Sequence, residues 1–392
     1  MFEYFPGNYV WNLGVVAALN SGGLIDEVDR ACRPIREAAT RGEDAGTGDF
    51  LSAWAALTDQ LVEQAETAEK AGHRRTAGQL YFRATNYLCQ AERMLAHSNP
   101  DRVPTYRRVL ELAQKAFTLH SPGISRVEIP YEGTTLPAYF SAAPAAAAAA
   151  SGPAPVVVLV NGLDSTKEHM YSSGHWEELA ARGISCLMLD QPGTGEALRL
   201  QGLTARIDTE AWAGAAVDWL VTRDDVDPAR IGIVGWSLGG YYAPRAAAFE
   251  KRFALVVAWG ANHNWGAVQR RRLEREGERP VPHYWEHVLW VWGHDDLDSF
   301  IDFADDVHLD GVVERITVPF LIAHGANDRQ IPLEYAHRSY EQAVNSPKRD
   351  LRIFTREEGA TEHIGLDHLP FVSTFIADWV ADTFAEVRPA GS

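Results

Sequence analysis

The run Ile231-Gly232-Ile233-Val234-Gly235-Trp236-Ser237-Leu238-Gly239-Gly240 constrains this chain more than any other stretch. An apolar segment suited to a buried strand leads into G-x-S-x-G, and a helical pattern follows from Tyr241 to Glu250. A strand that turns this sharply into a helix holds its middle residue in a strained backbone conformation. Glycines two positions to either side keep the neighbouring chain from clashing. The spacing therefore predicts Ser237 at the tip of a strand–turn–helix, with its hydroxyl beside the positive end of a helix. The flanking sequence supplies a sheet for that turn. Val156–Val160, Ile184–Leu189, Leu255–Trp259, Phe320–Ala323 and Leu351–Phe354 are apolar runs of strand length separated by amphipathic helical patterns. That alternation predicts an α/β chain with a mostly parallel, doubly wound sheet covered by helices on both faces.

A serine at such a turn is a nucleophile only with a base beside it and an acid orienting the base. In this kind of sheet the partners follow later strands, in the order Ser, Asp, His. Phe320–Ala323 continues through His324-Gly325-Ala326-Asn327 to Asp328, just before Ile331-Pro332. The strand Leu351–Phe354 ends in a loop that reaches His363. Asp328 and His363 are therefore the expected acid and base. The plainer role for Asp328 is to cap the helix beginning near Pro332. His368 is the rival base but falls inside the next predicted helix, and His324 reads as a packing residue. The oxygen that becomes negative during attack needs donors. The backbone N–H of Leu238 is one candidate, and the N–H of Leu163, in the loop Asn161-Gly162-Leu163-Asp164-Ser165-Thr166-Lys167-Glu168, is the other.

Periodicity divides the rest of the chain. Residues 1–120 read as a helical N-terminal domain; Leu24, Val28, Ala31 and Cys32, then Leu51, Trp54, Ala55 and Leu61, repeat at helical spacing. Period two begins after Ser121-Pro122-Gly123 with Ile124, Val127 and Ile129, and a turn at Glu132-Gly133 leads to a second strand, Leu136 to Phe140. Residues 121–392 form the expected catalytic domain, with the alanine tract between Ala142 and Pro155 read as a loop. From 262 to 313 the regular alternation fails, and a charged run, Arg270 to Glu276, precedes an aromatic one; this segment is the expected helical lid. Trp236, His263, Tyr284, Trp285 and Trp290 are the candidate substrate contacts, with Tyr9 and Trp11 as further aromatics near the cleft. Such side chains suit a flat or aromatic ligand. Trp285, Leu289 and Trp292 also recur at helical spacing, which packing alone explains.

Composition excludes several classes. A chain of 392 residues exceeds what one core usually organises, in keeping with two domains. A net charge of -17 opposes nucleic acid as a partner. Cys32, Cys89 and Cys186 are odd in number and scattered, as in reduced cytoplasmic proteins. The first ten residues lack the basic start and apolar run of a secretory signal, and no apolar stretch is long enough to span a membrane. There is no HExxH or Cys/His cluster for a metal, and His294-Asp295-Asp296 alone is a weak one; no G-x-G-x-x-G opens a helix after a strand. No cofactor is expected.

With these residues placed, the chain resembles the branch of α/β-hydrolases that includes FrsA-like proteins, 2,6-dihydroxypseudooxynicotine hydrolase and the fungal hydrolases that shorten polyketide chains. The likeness rests on Tyr81-Phe82-Arg83-Ala84, on Asn161 to Glu168, on Gly235 to Gly240 and on Gly359-Ala360-Thr361-Glu362-His363. It departs where the family has a small residue at Asn161 and often a glycine at Ala360. The resemblance implies the α/β-hydrolase fold, a helical N-terminal domain over the active site, often a homodimer, and in several members hydrolysis of a carbon–carbon bond next to a ketone. It implies an aromatic or polyketide-like small molecule as substrate. The same machinery expels an alkoxide or thiolate, so esterase, thioesterase and cyclising acyltransferase stay open. A non-catalytic binding protein on this fold usually lacks a triad member, and none is lacking here. An oligopeptidase usually carries a β-repeat domain that screens peptides, and the N-terminal region is helical.

Overall fold

The structure is a computed structural model that describes residues 1–121, 123–144, 152–274 and 279–387. The loop expected at the alanine tract lies largely outside the described residues. Six helices come first: α1 (Tyr9–Asn20), α2 (Ile25–Cys32), α3 (Arg36–Ala39), α4 (Thr47–Lys70), α5 (Arg74–Arg93) and α6 (Arg102–His120). α1 begins where the Asn8 side chain accepts the Trp11 N–H, a standard N-terminal cap. On α5, Ala77, Leu80, Tyr81, Ala84, Leu88 and Ala91 recur every three or four residues and are buried.

A hairpin follows, β1 (Ile124–Tyr131) and β2 (Thr134–Ser141), closed by Glu132 and Gly133 at φ 43° and 81°. Both lie in the left-handed region that a two-residue hairpin turn of this twist requires. The remaining strands are β3 (Ala154–Val160), β4 (Ser185–Leu189), β5 (Val226–Trp236), β6 (Phe253–Trp259), β7 (Phe320–Gly325) and β8 (Arg349–Phe354). They form one eight-stranded sheet in the order β1-β2-β4-β3-β5-β6-β7-β8. β4 to β8 run parallel, and the hairpin joins β4 antiparallel at one edge. Around the sheet lie α7 (Lys167–Ser173), α8 (His175–Ala181), α9 (Gly195–Arg199), α10 (Glu210–Leu220), α11 (Gly239–Phe249), α12 (Trp265–Glu274), α13 (Tyr284–Trp292), α14 (Leu297–Ala304), α15 (Leu333–Gln342) and α16 (Leu369–Glu386).

Alternate residues of each strand serve opposite faces. Val157, Leu159, Met188, Val234 and Val257 join a core that continues through α16 into the N-terminal helices, where Trp54, Tyr87 and Phe117 are buried. Val156, Val158, Leu187, Ile233 and Val256 face the other way, towards α10, α11 and the helices of the 262–313 segment. No described helix is long and apolar enough to cross a membrane.

The seam between the N-terminal helices and the sheet is ionic as well as apolar. Lys167 Nζ, fully buried, lies 2.9 Å from carboxylate oxygens of Glu168, Asp190 and Glu196. Tyr106 of α6 and Tyr139 of β2 donate to Glu168 at 3.0 and 2.7 Å. Alongside, Glu92 of α5 pairs with Arg102 of α6 at 2.8 Å and Arg199 of α9 at 2.7 Å. With Arg126 on Glu196 at 2.7 Å, four cations balance four carboxylates. Burial opposes ionisation of Glu92, yet the two arginines hold its pKa down to about 2.

Several histidines are packed away uncharged, and this fixes the pH response of stability. Burial, aided by nearby arginines, lowers His175 and His287 to about 3 and His169 to about 4. In the unfolded chain these groups return to about 6.5. Below that pH the unfolded state takes up protons that the native state refuses. Stability is therefore fully present above pH 6.5 and falls as the pH drops towards 4, by up to about 1.4 kcal/mol per histidine per pH unit. Urea titrations are expected to show a clearly lower midpoint at pH 5 than at pH 7. An unchanged midpoint would mean that these imidazoles are not held neutral.

Candidate active site

Ser237 follows β5 directly and precedes α11, as the strand–turn–helix pattern requires. Its backbone sits at φ 58°, a left-handed conformation rare for a non-glycine residue. Its N–H is anchored on the Trp259 carbonyl at 2.9 Å. Space explains the glycines: a Cβ on Gly235 would lie 2.1 Å from the Gly239 oxygen. A Cβ on Gly162 would lie 2.8 Å from the Ser237 Cβ and 3.1 Å from its hydroxyl, so the loop after β3 approaches the serine only because that residue has no side chain.

Three side chains from separate loops meet here. His363 Nε2 lies 2.8 Å from Ser237 Oγ, and His363 Nδ1 lies 2.9 Å from Asp328 Oδ2. Asp328 is spent on this arrangement rather than on a helix end: its Oδ1 accepts the N–H groups of Gln330 and Ile331 at 2.8 and 3.0 Å, while α15 has no side-chain cap. Burial alone would raise the Asp328 pKa, but the adjacent His363 brings it down to about 2. His363 is turned inward by a tight bend in which Ile364 and Gly365 have φ 52° and 67°. Ala360, three residues before His363, has φ 62°, a left-handed conformation that glycine adopts more readily than alanine. His368 stands one residue before α16 rather than inside it, stacked on Phe371. His324 is buried, with Nδ1 accepting from Ala261 N–H at 3.1 Å and Nε2 donating to the Ile331 carbonyl at 3.1 Å.

The two expected oxyanion donors flank the serine, and neither the Leu163 nor the Leu238 N–H donates to another described residue. Their loop is braced from several sides. His287 Nε2 donates to the Leu163 carbonyl at 3.3 Å. Ser165 Oγ accepts from Gly162 N–H and from Trp236 Nε1 and donates to Asn161 Oδ1. Asn161 donates to the Leu189 carbonyl and to Asp190 at 2.9 and 3.1 Å. It ties the loop to the sheet and the ionic seam.

Two cavities meet at the serine. The larger holds about 730 Å³ including its open mouth, and lies between the N-terminal helices and the sheet; Leu13, Ala17, Trp236, Ile364, Leu366 and Leu369 supply its apolar walls. The smaller holds about 260 Å³ and is lined by Leu163, Leu238, Asn262, Trp265, Val268 and Arg272. Ser237, His363, Pro280 and Gln330 border both.

Of the expected substrate contacts, Trp236 lines the large cavity, whereas His263, Tyr284, Trp285 and Trp290 line neither. His263 is fully buried between Ser339 and Asp310, at 2.8 and 3.0 Å. Tyr284 donates to Gln269 and accepts from Arg272, and Trp285 packs edge-on against Tyr284. Trp290 is stacked on His97 and lies beneath the Arg102 guanidinium. These aromatics fix α13 to its neighbours, as their helical spacing allowed. Tyr9 and Trp11 are likewise core residues, and Leu13 and Ala17 are the α1 residues at the cavity. The residues that sequence reasoning missed are on α5 and α7: Asn86, Gln90, Arg93, His169 and Ser172 all line the large cavity. Their signal was a polar series at i, i+4 and i+7 cutting into the buried stripe of α5.

Comparison with known proteins agrees with this architecture. Residues 157–383 match the Alpha/beta hydrolase family, and residues 45–266 match the Esterase FrsA-like family. The 2,6-dihydropseudooxynicotine hydrolase of Paenarthrobacter nicotinovorans is 28% identical over 330 residues, covering 84% of this chain and 83% of that protein. Hydrolase LUC6 of a Fusarium species is 27% identical over an alignment of 420 positions that covers 98% of each. The crystal structure of the 2,6-dihydroxy-pseudo-oxynicotine hydrolase overlays with a TM-score of 0.75 at 25% identity, covering 96% of this chain and 98% of that one. The chain is a hydrolase that belongs to the alpha/beta hydrolase family and, within it, to the esterase FrsA-like group.

Proposed function

We propose that the protein is a serine hydrolase that cleaves an aromatic or polyketide-like small molecule at a carbonyl, with a 1,3-diketone as the substrate type. The reading is carried by the continuous relay from Ser237 Oγ through His363 to Asp328 at the junction of two cavities. His363 Nε2 takes the hydroxyl proton as Ser237 attacks the carbonyl. The Leu163 and Leu238 N–H groups stabilise the resulting oxyanion. Collapse of the adduct breaks the bond to the central carbon, which leaves as an enolate and receives the proton from His363. Water, deprotonated by the same imidazole, then frees the acid from Ser237. An ester follows the same steps with an alkoxide as leaving group. Two cavities meeting at the serine support a substrate with a fragment on each side of the scissile bond.

Two measurements test this. A fluorophosphonate probe is expected to label the wild-type protein and not Ser237→Ala; labelling of that variant would remove Ser237 from the mechanism. Incubation with 1-phenyl-1,3-butanedione is expected to yield a carboxylic acid and a ketone. If aryl esters turn over and diketones do not, the carbon–carbon reading fails and ester hydrolysis remains.

A further inference from the structure

The part of the large cavity built from α5 and α7 carries a concentration of unspent polar atoms. Asn86 Oδ1, Gln90 Oε1, Arg93 Nη1, His169 Nε2 and Ser172 Oγ are buried and have no hydrogen-bond partner among the described residues, and all five residues line this cavity. Asn86, Gln90 and Ser172 are each at least nine-tenths buried. Buried polar groups are ordinarily satisfied, and a cluster left open on one cavity wall points to a ligand that satisfies it.

The bonds these residues do make fix what each offers. Asn86 Nδ2 donates to the Ala18 and Ser21 carbonyls at 2.9 and 3.0 Å, so its oxygen is the free end, an acceptor. His169 Nδ1 accepts the Thr166 N–H at the start of α7, so the ring carries its proton on Nε2, a donor. Burial, with Arg93 beside it, keeps that ring uncharged at neutral pH. Arg93 is paired with Asp164 through Nε and with the Pro280 carbonyl through Nη2, leaving Nη1 as a donor without net charge to offer. Gln90 Oε1 adds an acceptor, and the Ser172 hydroxyl can act either way.

We infer that this α5–α7 wall is the specificity surface of the enzyme and selects an uncharged substrate whose ring or chain bears hydroxyl and carbonyl groups remote from the scissile carbonyl. Hydroxyls of the substrate donate to Asn86 and Gln90, and a carbonyl or hydroxyl oxygen accepts from His169 and Arg93. The inference rests on Ser237 as nucleophile and adds the chemistry of the group that the N-terminal helices recognise. A site built to hydrogen-bond a hydroxyl rejects the analogue lacking it, because its own buried groups are then left unpaired.

The test compares 3,5-dihydroxyphenyl acetate, phenyl acetate and the charged 3-carboxyphenyl acetate. Wild-type kcat/KM is expected to be highest for the dihydroxy ester and lowest for the carboxylate. Gln90→Leu and His169→Leu should each lower the ratio of kcat/KM for the dihydroxy ester to that for phenyl acetate by about 10- to 100-fold. His169→Asn, whose amide can accept the Thr166 N–H and still donate into the cavity, should recover much of the loss. All three variants should still be labelled by the fluorophosphonate probe, which separates a change of specificity from loss of the nucleophile. Equal losses on the dihydroxy and unsubstituted esters, or a wild-type preference for the carboxylate, overturn the inference. Absence of labelling in the wild-type protein would instead strike at the nucleophile.

Discussion

Ser237→Ala and His363→Ala are each expected to lower kcat on an activated aryl ester by about 10³-fold or more, and the double variant to be little worse than either. The reason is geometric. With Ser237 Oγ and His363 Nε2 2.8 Å apart, neither group performs its step without the other, so removing the second costs little once the first has gone. Asp328→Asn should be damaging as well, since a neutral amide no longer stabilises the imidazolium and can select the wrong tautomer at Nδ1. His368→Ala should retain most activity, because that ring is stacked on Phe371. Additive losses in the double variant would dissolve the unit, and an inactive His368→Ala beside an active His363→Ala would reassign the base.

The second large effect concerns stability. Lys167→Met removes the cation at the centre of Glu168, Asp190 and Glu196 and leaves buried carboxylates facing one another. Breaking one partner of a buried ionic group costs about 3–5 kcal/mol. Here a single cation serves three carboxylates, so the upper end of that range, or failure to fold at 37 °C, is expected. Asp190→Asn alone should also destabilise. Combined with Lys167→Met, it should give less than the sum, because the variants share one network. Urea denaturation of the three proteins measures this. A loss of under about 1 kcal/mol for Lys167→Met would show that the carboxylates are neutralised by other means.

Much of this was legible because it is local. The strands between Val156 and Phe354 are short, mostly apolar runs with helical patterns between them, and the sheet places each of them as a strand. The serine turn is written in five consecutive residues, and the ends of the next strands leave few candidates for the groups that meet it. The large-cavity wall was not legible in the same way. Helical spacing says which residues of α5 share a face but not what covers that face, and the cover comes from α1, α7 and the loops after β5 and β8. The aromatics of 284–292 misled for the same reason: Trp290 reads as an open ring until His97 and Arg102, far away in sequence, are seen to enclose it. His169 and Ser172 lie just past Glu168, where the noted resemblance ends, and their orientation depends on Thr166 capping a seven-residue helix.

The core shared by the N-terminal helices and one face of the sheet has a consequence for how the protein is made. The six leading helices leave the ribosome before the strand residues that share their core, such as Tyr139, Val157 and Met188, exist, and α16, much later in sequence, supplies a further part of it. Folding that proceeds from the N-terminus therefore leaves part of an apolar surface uncovered until the sheet and α16 have been made. Yield in a cell is expected to depend on holdase capacity and elongation speed during that interval, as well as on how firmly the finished molecule resists denaturant.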